Sequence, residues 1–407
     1  MKIGYACQCL SNTMPSFRTC IKKFASEENL LSIITHNLKV LDEILDYNHE
    51  HGIQLFRLSS DLIPFGSSPI NTVAWRSIFA SSFLALGEKA KAYHMRLTMH
   101  PGQYTILNTP NENVWQRSVL DLRYHCDILN LMGMDTTNKL ILHVGGIYGN
   151  KEEAIKRFLS SFPKLDEDIQ ARLILENDDR YYTLQDVWSL ANQLHIPIVF
   201  DNLHHALLPS FPKLSLLQVM QMVQKSWKNQ DGRMKIHYSQ QDPDRRKGAH
   251  AHYLDPIAFV SFCEDIKWMD IDIMLEVKSK NLAALEALDL LYPKHFCAIK
   301  TWKHYRFLVL RHSISIFTKL EQDVSHMDAY TFYQWIHTAC SMMEEQGAIC
   351  YRLMLQEWAP RLQEEQKVKL TRAIMRYQEH KLSEQGVKQA FLTVSKSIKE
   401  EDDYLFL

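Results

Sequence analysis

The hydrophobic pattern of this chain alternates between short apolar runs and longer segments with helical periodicity. In the first long segment, Ile34, Leu38, Leu41 and Leu45 recur at the spacing of one helical face. Continuous apolar runs of strand length occur eight times, with helix-length segments between them. The runs span residues 2–6, 53–59, 96–100, 139–144, 172–177, 197–202, 234–239 and 272–277. The pattern predicts eight β-strands that alternate with α-helices.

The apolar character of these runs indicates which kind of sheet the strands form. Strands that are apolar throughout are typical of a parallel sheet covered by helices on both faces. Eight such units within about 290 residues predict an α/β fold, the (β/α)8 TIM barrel. The alternative is an open doubly wound sheet, which normally carries a glycine-rich turn after its first strand. The segment YACQCLSN at 5–12 is no such turn. Capping residues predict helix starts at Asn111, Thr183 and Asp255.

The chain changes character at Tyr292, after which helical patterns dominate and no clear strand appears. We therefore predict a barrel domain at 1–291 and a helical C-terminal extension at 292–407. Within the extension, segment 300–312 mixes lysine and arginine with aromatic residues. Two interpretations remain open for it: a nucleic-acid contact, or an amphipathic helix packed on the barrel with its charges in water.

Composition narrows the class of protein further. Of the 407 residues, 46% are hydrophobic, and the formal net charge is −1, so any attraction for nucleic acid must be local. We find no signal peptide and no membrane-length apolar run, and we expect a soluble cytoplasmic monomer. The eight cysteines form no CxxC motif, which favours reduced thiols. A metal site at the CxC pair Cys7 and Cys9 is the weaker alternative.

Metal-type ligands stand at almost every predicted strand end, where barrel enzymes build their active sites. The strand-end residues are Tyr5, Asp61, His100, His143, Glu176, Asp201, His204, His237 and Glu276, and the loop residue His250 joins them. So many carboxylates and imidazoles at one rim would repel one another and would lose their hydration. Bound cations would compensate both costs. We predict two or three divalent ions, with Mn²⁺ as first choice and Mg²⁺, Zn²⁺ or Co²⁺ as alternatives. Adjacent ions suit phosphodiester hydrolysis.

Several motifs carry a family resemblance. The runs HPGQY (100–104), LHVGG (142–146), LEND (175–178), FDNLHH (200–205), KIHYS (235–239) and LEVK (275–278) resemble the ultraviolet damage endonuclease family in order and spacing. The resemblance implies a TIM-barrel DNA repair enzyme. Such an enzyme cuts the phosphodiester immediately 5′ of cyclobutane dimers, 6-4 photoproducts or abasic sites, and it leaves a 3′-hydroxyl and a 5′-phosphate.

The resemblance also implies roles for individual residues. The metal ligands it implies are His100, His143, Glu176, Asp201, His204, His237, His250 and Glu276. Glu176 would bridge two ions, and His204 with His250 would hold a third. The catalytic group would comprise Glu176, His237, Lys235 and Glu276. Lys235 matches a lysine that the family can carry in carboxylated form; the alternatives are a plain amine with a lowered pKa and a lysine that extends to the rim. The chain departs from the family at Cys9, where other members carry Asn, and at Asp61, where relatives often have His.

DNA contacts are implied at three places. Gln103 and Tyr104 would probe the duplex where the lesion is extruded, because a damaged dinucleotide stacks and pairs poorly. Tyr5 and the loop after it would contact the lesion. Arg245, Arg246 and Lys247, on a loop near His250, would bind phosphates, although a solvated charge run is the alternative. The rival function is that of a xylose isomerase-like sugar isomerase or epimerase, which shares the barrel but needs fewer ligands.

Overall fold

The eight predicted strands close into a parallel barrel in sequence order, with the last strand paired to the first. The structure is a computed structural model, and it describes residues 1–11, 14–342, 346–398 and 404. The strands are β1 (Ile3–Ala6), β2 (Leu55–Leu58), β3 (Arg96–Met99), β4 (Leu140–His143), β5 (Leu173–Glu176), β6 (Ile198–Asp201), β7 (Met234–Tyr238) and β8 (Ile271–Leu275). Closure confirms the TIM barrel and excludes the open doubly wound sheet.

Helices connect the strands and continue beyond them. They are α1 (Glu27–Glu50), α2 (Trp75–Ile78), α3 (Ala80–Ala92), α4 (Glu112–Leu131), α5 (Lys151–Ser161), α6 (Glu167–Arg172), α7 (Leu184–Leu194), α8 (Asn202–Leu207), α9 (Leu216–Gln224), α10 (Pro256–Asp265), α11 (Asn281–Leu291), α12 (Ala298–His312), α13 (Ile314–Asp323), α14 (Ala329–Cys340), α15 (Gly347–Trp358), α16 (Glu364–Gln378) and α17 (Glu384–Ile398). The predicted starts are confirmed, because Asn111 caps α4, Thr183 caps α7, and Asp255 accepts two backbone N–H groups at the start of α10.

Strand register brings the predicted ligands side by side. His143 of β4 pairs in register with Glu176 of β5, and Asp201 of β6 pairs with His237 of β7. Alternate residues of a strand face the same side, so His143, Glu176 and Asp201 each have an inward-facing apolar residue two positions earlier in the strand. Ile141, Ile174 and Val199 form such a layer.

Buried ion pairs occupy the amino-terminal end of the barrel. Arg96 lies 3.1 Å from Asp272, and Lys139 lies 2.6 Å from Asp231, all four side chains being nearly inaccessible. Pairing compensates the cost of removing these charges from water. Because this end of a TIM barrel serves stability, we assign these pairs a structural role.

The chain divides into two compact units. The first comprises Met1–Cys9, Ser16–Leu254 and Ser261–Leu285, and it contains the barrel. The second comprises Leu10–Pro15, Asp255–Val260 and Glu286–Leu407, and its C-terminal portion is helical, as predicted. The proposed domain boundary at 292 stays a prediction.

The aromatic residues of segment 300–312 are core residues of the helical unit. Trp302, Tyr305 and Phe307 of α12 are buried in apolar clusters, while Arg306 pairs with Glu321 and Glu357. These rings cannot stack on bases from that position, so the predicted base stacking is wrong. Buried rings beside exposed Lys300 and Lys303 are typical of an amphipathic helix, and its packing on the barrel stays a prediction.

Two further findings concern the described part of the chain. None of its helices combines the length and apolar character that crossing a membrane requires. None of its cysteines forms a disulfide bond.

Candidate metal centre

Glu176 lies at the middle of a buried histidine cluster. This last residue of β5 is only 1% exposed. Its Oε2 lies 3.0 Å from Nε2 of His100 and 3.4 Å from Nε2 of His143, and its Oε1 lies 2.7 Å from Nδ1 of His237. Burial alone would raise the pKa of Glu176, but the surrounding imidazoles hold it well below its ordinary value. The carboxylate is therefore charged.

Two groups of ligand atoms share this carboxylate. His100, His143 and Glu176 form one, and Glu176, Asp201 and His237 form the other; within each, the ligand atoms lie within 4.8 Å of one another. A residue common to two such groups has the geometry that a bridging ligand needs. The bridging role of Glu176 stays a prediction.

The donor atoms of this cluster fit divalent cations. Oδ2 of Asp201, Nδ1 of His143 and Nε2 of His237 are buried and have no hydrogen-bond partner. Burial lowers the pKa of both histidines, so their rings are neutral and can ligate. A buried carboxylate oxygen without a donor is costly unless a cation binds it. The residues therefore fit the predicted metal site.

Asp201 holds a proton more firmly than an ordinary aspartate. Burial, with the negative charges of Glu176 and Glu276, raises its pKa to about 8. Burial opposes the charged form of His204, but Asp201 and the two glutamates outweigh it and raise the pKa of that imidazole to about 9. Without cations, the cluster therefore retains protons near neutral pH.

Glu276, just beyond β8, is held by an arginine that the sequence interpretation missed. Oε1 of Glu276 lies 3.3 Å from Nδ1 of His237, and Arg57 donates a hydrogen bond to the same oxygen. Burial alone would raise the pKa of Glu276, but Arg57 and His237 lower it overall. Arg57 shares the inward face of β2 with Leu55, so a charged residue within an otherwise apolar strand was the signal for it.

His204 and His250 are each fixed through one ring nitrogen. Nδ1 of His204 lies 2.9 Å from the carbonyl of Asn177, and Nδ1 of His250 lies 2.7 Å from the carbonyl of Glu276. Such contacts orient metal-binding histidines and leave the other nitrogen available. Neither histidine belongs to the two ligand groups found in the described chain. Their joint binding of a third ion stays a prediction.

Lys235 is a fully buried amine without a partner. Its side chain is inaccessible, and its Nζ makes no hydrogen bond. Burial, reinforced by Arg96 and Arg57, lowers its pKa well below the ordinary value. A charged ammonium is therefore strongly disfavoured here, which favours a neutral amine or a modified one.

Gln103 and Tyr104 project from a tight turn after β3. Both are exposed, Tyr104 by 64%. The turn closes through a 2.9 Å hydrogen bond from the amide of Thr105 to the carbonyl of Gly102, and a Cβ at Gly102 would lie 2.5 Å from the Tyr104 ring. Thr105 also donates to buried Asp121 at 2.6 Å. The glycine therefore permits an exposed ring on a fixed turn.

Two predicted rim residues lie elsewhere. Tyr5 is inaccessible, packs edge-on against Phe56, and donates to Asn48 of α1 at 2.8 Å. It faces the helical layer because its neighbour Ala6 takes the inward side of β1. Asp61 is exposed and belongs to neither ligand group. The buried position of Tyr5 gives its side chain no access to a lesion, and the structure assigns no ligand role to Asp61.

The basic loop after β7 lines a groove beside His250. An antiparallel bridge between Gln241 and His250 shapes this loop. Arg245, Arg246 and His250 line a cavity of about 670 Å³, to which the structure adds Lys278, a residue not predicted. Lys247 donates instead to the carbonyl of Leu207.

The fold and this cluster define a class of protein: a TIM-barrel enzyme with a histidine and carboxylate centre at the carboxyl ends of its strands. The profile of one family, UV-endonuclease UvdE, matches residues 1–317. The chain belongs to this family.

Individual relatives agree with the family profile. The chain is 38% identical over 342 residues to a UV DNA damage endonuclease of Clostridium perfringens, covering 83% of this chain and 82% of the relative. It is 33% identical over 270 residues to a UV DNA damage endonuclease of Bacillus mycoides, covering 66% and 84%. Among solved structures, SacUVDE matches with a TM-score of 0.68 and 36% identity, covering 72% of this chain and 98% of that one.

Proposed function

We propose that this protein is a DNA repair endonuclease that hydrolyses the phosphodiester immediately 5′ of UV photolesions in duplex DNA. Cyclobutane dimers, 6-4 photoproducts and abasic sites are the proposed lesions, and the products carry a 3′-hydroxyl and a 5′-phosphate. One observation carries the proposal beyond the family assignment: Glu176 lies within 3.4 Å of three histidines, and two of them, His143 and His237, each have a buried ring nitrogen without a hydrogen-bond partner. Such a centre suits charge neutralisation at a phosphodiester.

Two or three divalent ions, Mn²⁺ by preference, are the proposed cofactors. His100, His143, Glu176, Asp201, His204, His237, His250 and Glu276 would hold them. When bound, such ions supply an activated water and neutralise charge on the phosphate oxygens. Choice among metals depends on geometry and availability more than on affinity.

The protein's own contribution is to fix the geometry of this centre. Arg57 holds Glu276, and Glu176 and Glu276 both contact Nδ1 of His237, which fixes the orientation of that ring. The side chains therefore cannot turn away from the reacting phosphate, and little reorganisation is needed during reaction. We assign Lys235 to the catalytic group in carboxylated form, which would place an anion near Arg57 and Arg96 in place of a partnerless amine.

DNA binding is proposed through two features of the same rim. Gln103 and Tyr104 enter the duplex at the lesion, and Arg245, Arg246 and Lys247 bind phosphates. The exposed ring on a fixed turn supports the first role, and the groove lined by the two arginines supports the second. We further propose that the protein acts inside the cell as a monomer.

An incision assay tests the proposed function. Purified protein with Mn²⁺ is incubated with end-labelled duplex DNA that carries a single cyclobutane dimer. We expect one cut immediately 5′ of the dimer and none in undamaged DNA. Absence of incision with every divalent metal would refute the proposal, and turnover of ketoses or aldoses would favour the sugar isomerase instead.

Tyr104→Ala is expected to weaken lesion selectivity without changing metal content. Losing the ring removes a stacking contribution of about 1–3 kcal/mol. The ratio of incision rates on damaged and undamaged duplex should therefore fall roughly tenfold or more, measured beside metal content by mass spectrometry. Tyr330→Ala is the control, because Tyr330 is 38% exposed on α14 of the helical unit, outside the rim loops. Metal loss in the Tyr104 variant would mean that the turn is structural.

Metal uptake is expected to release protons at neutral pH. Asp201 has a pKa of about 8 against an ordinary 3.8, and ligation requires its carboxylate form. Because the pKa of Asp201 is higher in the folded than in the unfolded chain, its protonation stabilises the metal-free protein, and this stabilisation is complete below about pH 3.8. That stability is lost as pH rises through about 8, by at most about 1.4 kcal/mol per pH unit for one proton.

Calorimetry in two buffers of different ionisation enthalpy measures this proton release. Asp201→Asn should reduce it and flatten the loss of stability with pH. Exposed Asp61→Asn is the control and should behave as wild type. Equal binding enthalpies in both buffers for the wild type would contradict the expectation.

A further inference from the structure

The first β-to-α loop carries exposed apolar side chains that the barrel does not use. Ile21 is 62% exposed and Phe24 is 57% exposed. Arg18, Lys22 and Lys23 beside them are exposed as well. We call these five residues the basic ridge. Because the loop follows β1, the ridge lies at the carboxyl end of the barrel, the end that holds the metal centre.

The backbone of the ridge is anchored even though its side chains are exposed. The buried amide of Asn37 on α1 accepts from the N–H of Arg18 at 2.8 Å and donates to its carbonyl at 3.0 Å. Asn29 of α1 donates to the carbonyl of Phe24 at 2.7 Å. Lys22–Phe24 form a 3₁₀ turn. The Phe24 ring and the other exposed side chains of the ridge therefore project from a fixed backbone. A fixed backbone lowers the conformational entropy lost on binding.

The cations of the ridge are free of ion pairs among the described residues. Segment 16–26 contains three cations and no acidic residue, and the nearest carboxylates along the chain are Glu27 and Glu28 in the first turn of α1. Within the part of the chain that the structure describes, none of the three forms an ion pair, whereas exposed Lys156 pairs with Glu153 and Lys267 pairs with Glu264. Nζ of Lys23 lies 5.6 Å from the centre of the Phe24 ring. Cations and apolar groups therefore form one continuous surface.

We propose that the basic ridge binds the duplex that flanks the incised phosphodiester. The cations would contact backbone phosphates, and Phe24 with Ile21 would insert at a base step or pack in the minor groove. The combination of apolar wedge and cations is typical of proteins that grip bent duplex DNA. This inference rests on the proposed function, since the same duplex must reach the centre. It adds a binding site separate from the probe at Gln103 and Tyr104.

Two variants test the two components of the ridge. Lys22→Ala/Lys23→Ala and Phe24→Ala are titrated with a dimer-containing duplex over a range of salt concentrations, and incision kinetics are recorded. The double variant should lower the slope of log affinity against log salt by about 1.8, since two phosphate contacts are lost. Phe24→Ala should weaken binding about tenfold with an unchanged slope. In both, KM should rise while kcat is unchanged.

A matched control lies at the opposite end of the barrel. Trp268 is 84% exposed between α10 and β8, with Nζ of Lys267 5.6 Å from its ring. Lys267→Ala and Trp268→Ala remove the same chemistry where no DNA should bind, and both should behave as wild type.

The outcomes separate this inference from the proposed function. Wild-type protein that fails to incise damaged DNA overturns the proposed function. Wild-type protein that incises, together with Lys22/Lys23 and Phe24 variants that match it in salt slope, affinity and KM, overturns the ridge alone. A partner other than DNA for this surface would give that second result.

Discussion

Replacing Glu176 by Gln is expected to abolish incision. The carboxylate is the residue common to both candidate ligand groups, so one substitution weakens both. An amide keeps the shape but removes the negative charge that would bind cations. Loss of several kcal/mol of charge stabilisation in the transition state corresponds to a fall in kcat of about 10³-fold or more. Single-turnover incision of dimer-containing DNA measures it.

Metal-dependent stability gives a second readout for the same variant. In the wild type, Mn²⁺ at a hundredfold excess over its Kd should raise the free energy of unfolding by about 2.7 kcal/mol. In Glu176→Gln the increase should largely vanish, as thermal unfolding with and without Mn²⁺ would report. Near-wild-type incision would refute the bridging role.

Glu286→Gln is the matched control for this experiment. Glu286 is also buried, at 3% exposure, and its Oε1 lies 2.8 Å from Nε2 of His337. The substitution thus breaks a buried glutamate–histidine contact in the helical unit. We expect some destabilisation but no change in kcat or in the response to Mn²⁺. Loss of incision there would show that the effect at Glu176 reflects disrupted folding.

Lys235→Met is expected to reduce incision without destabilising the protein. The amine has no partner in the barrel and cannot carry charge, so methionine removes no contact and leaves no acid unpaired. If a carbamate on Lys235 supports the centre, its loss should lower kcat by about 10- to 100-fold. Intact-mass measurement near neutral pH should show one added carbon dioxide on the wild type and none on the variant.

A second buried lysine provides the contrast. Lys139 is equally inaccessible, but its Nζ donates to Asp231 at 2.6 Å and to the carbonyl of Ala171 at 2.8 Å. Lys139→Met leaves a buried carboxylate alone and should cost about 3–5 kcal/mol of stability, with kcat of the folded protein unchanged. For Lys235, short carboxylic acids added to a Lys235→Ala variant should restore part of the activity. A folded Lys235→Met protein with wild-type incision would exclude the carbamate.

The candidate ligands were accessible to prediction because local geometry fixes them. An apolar run that ends in His143, Glu176 or Asp201 places that residue at a strand tip, and parallel strands bring their tips to one rim. The order of these residues along the chain was therefore enough to predict that they cluster.

The positions of other side chains could not be predicted, because the closed barrel determines which face of each strand points inward. Tyr5 stood at a strand end like the ligands, yet it faces α1, while Arg57 turns inward to Glu276. A one-residue difference in register reverses these directions, and the short apolar strands give no alternation from which to read it. Likewise, Trp302 and Tyr305 looked available for stacking until helix packing buried them.

The sequence by itself determined the βα repeat, the closed barrel it implies, the helical C-terminal portion and the identity of the candidate ligands, since each follows from periodicity and position along a strand. Only the tertiary structure decided that Glu176 lies between the imidazoles, that Lys235 lacks a hydrogen-bond partner, and that the backbone of the basic ridge is anchored to α1. These properties arise from contacts between residues far apart in the chain. Which side chains are buried, and which atoms they contact, is determined only when the strands close into a barrel.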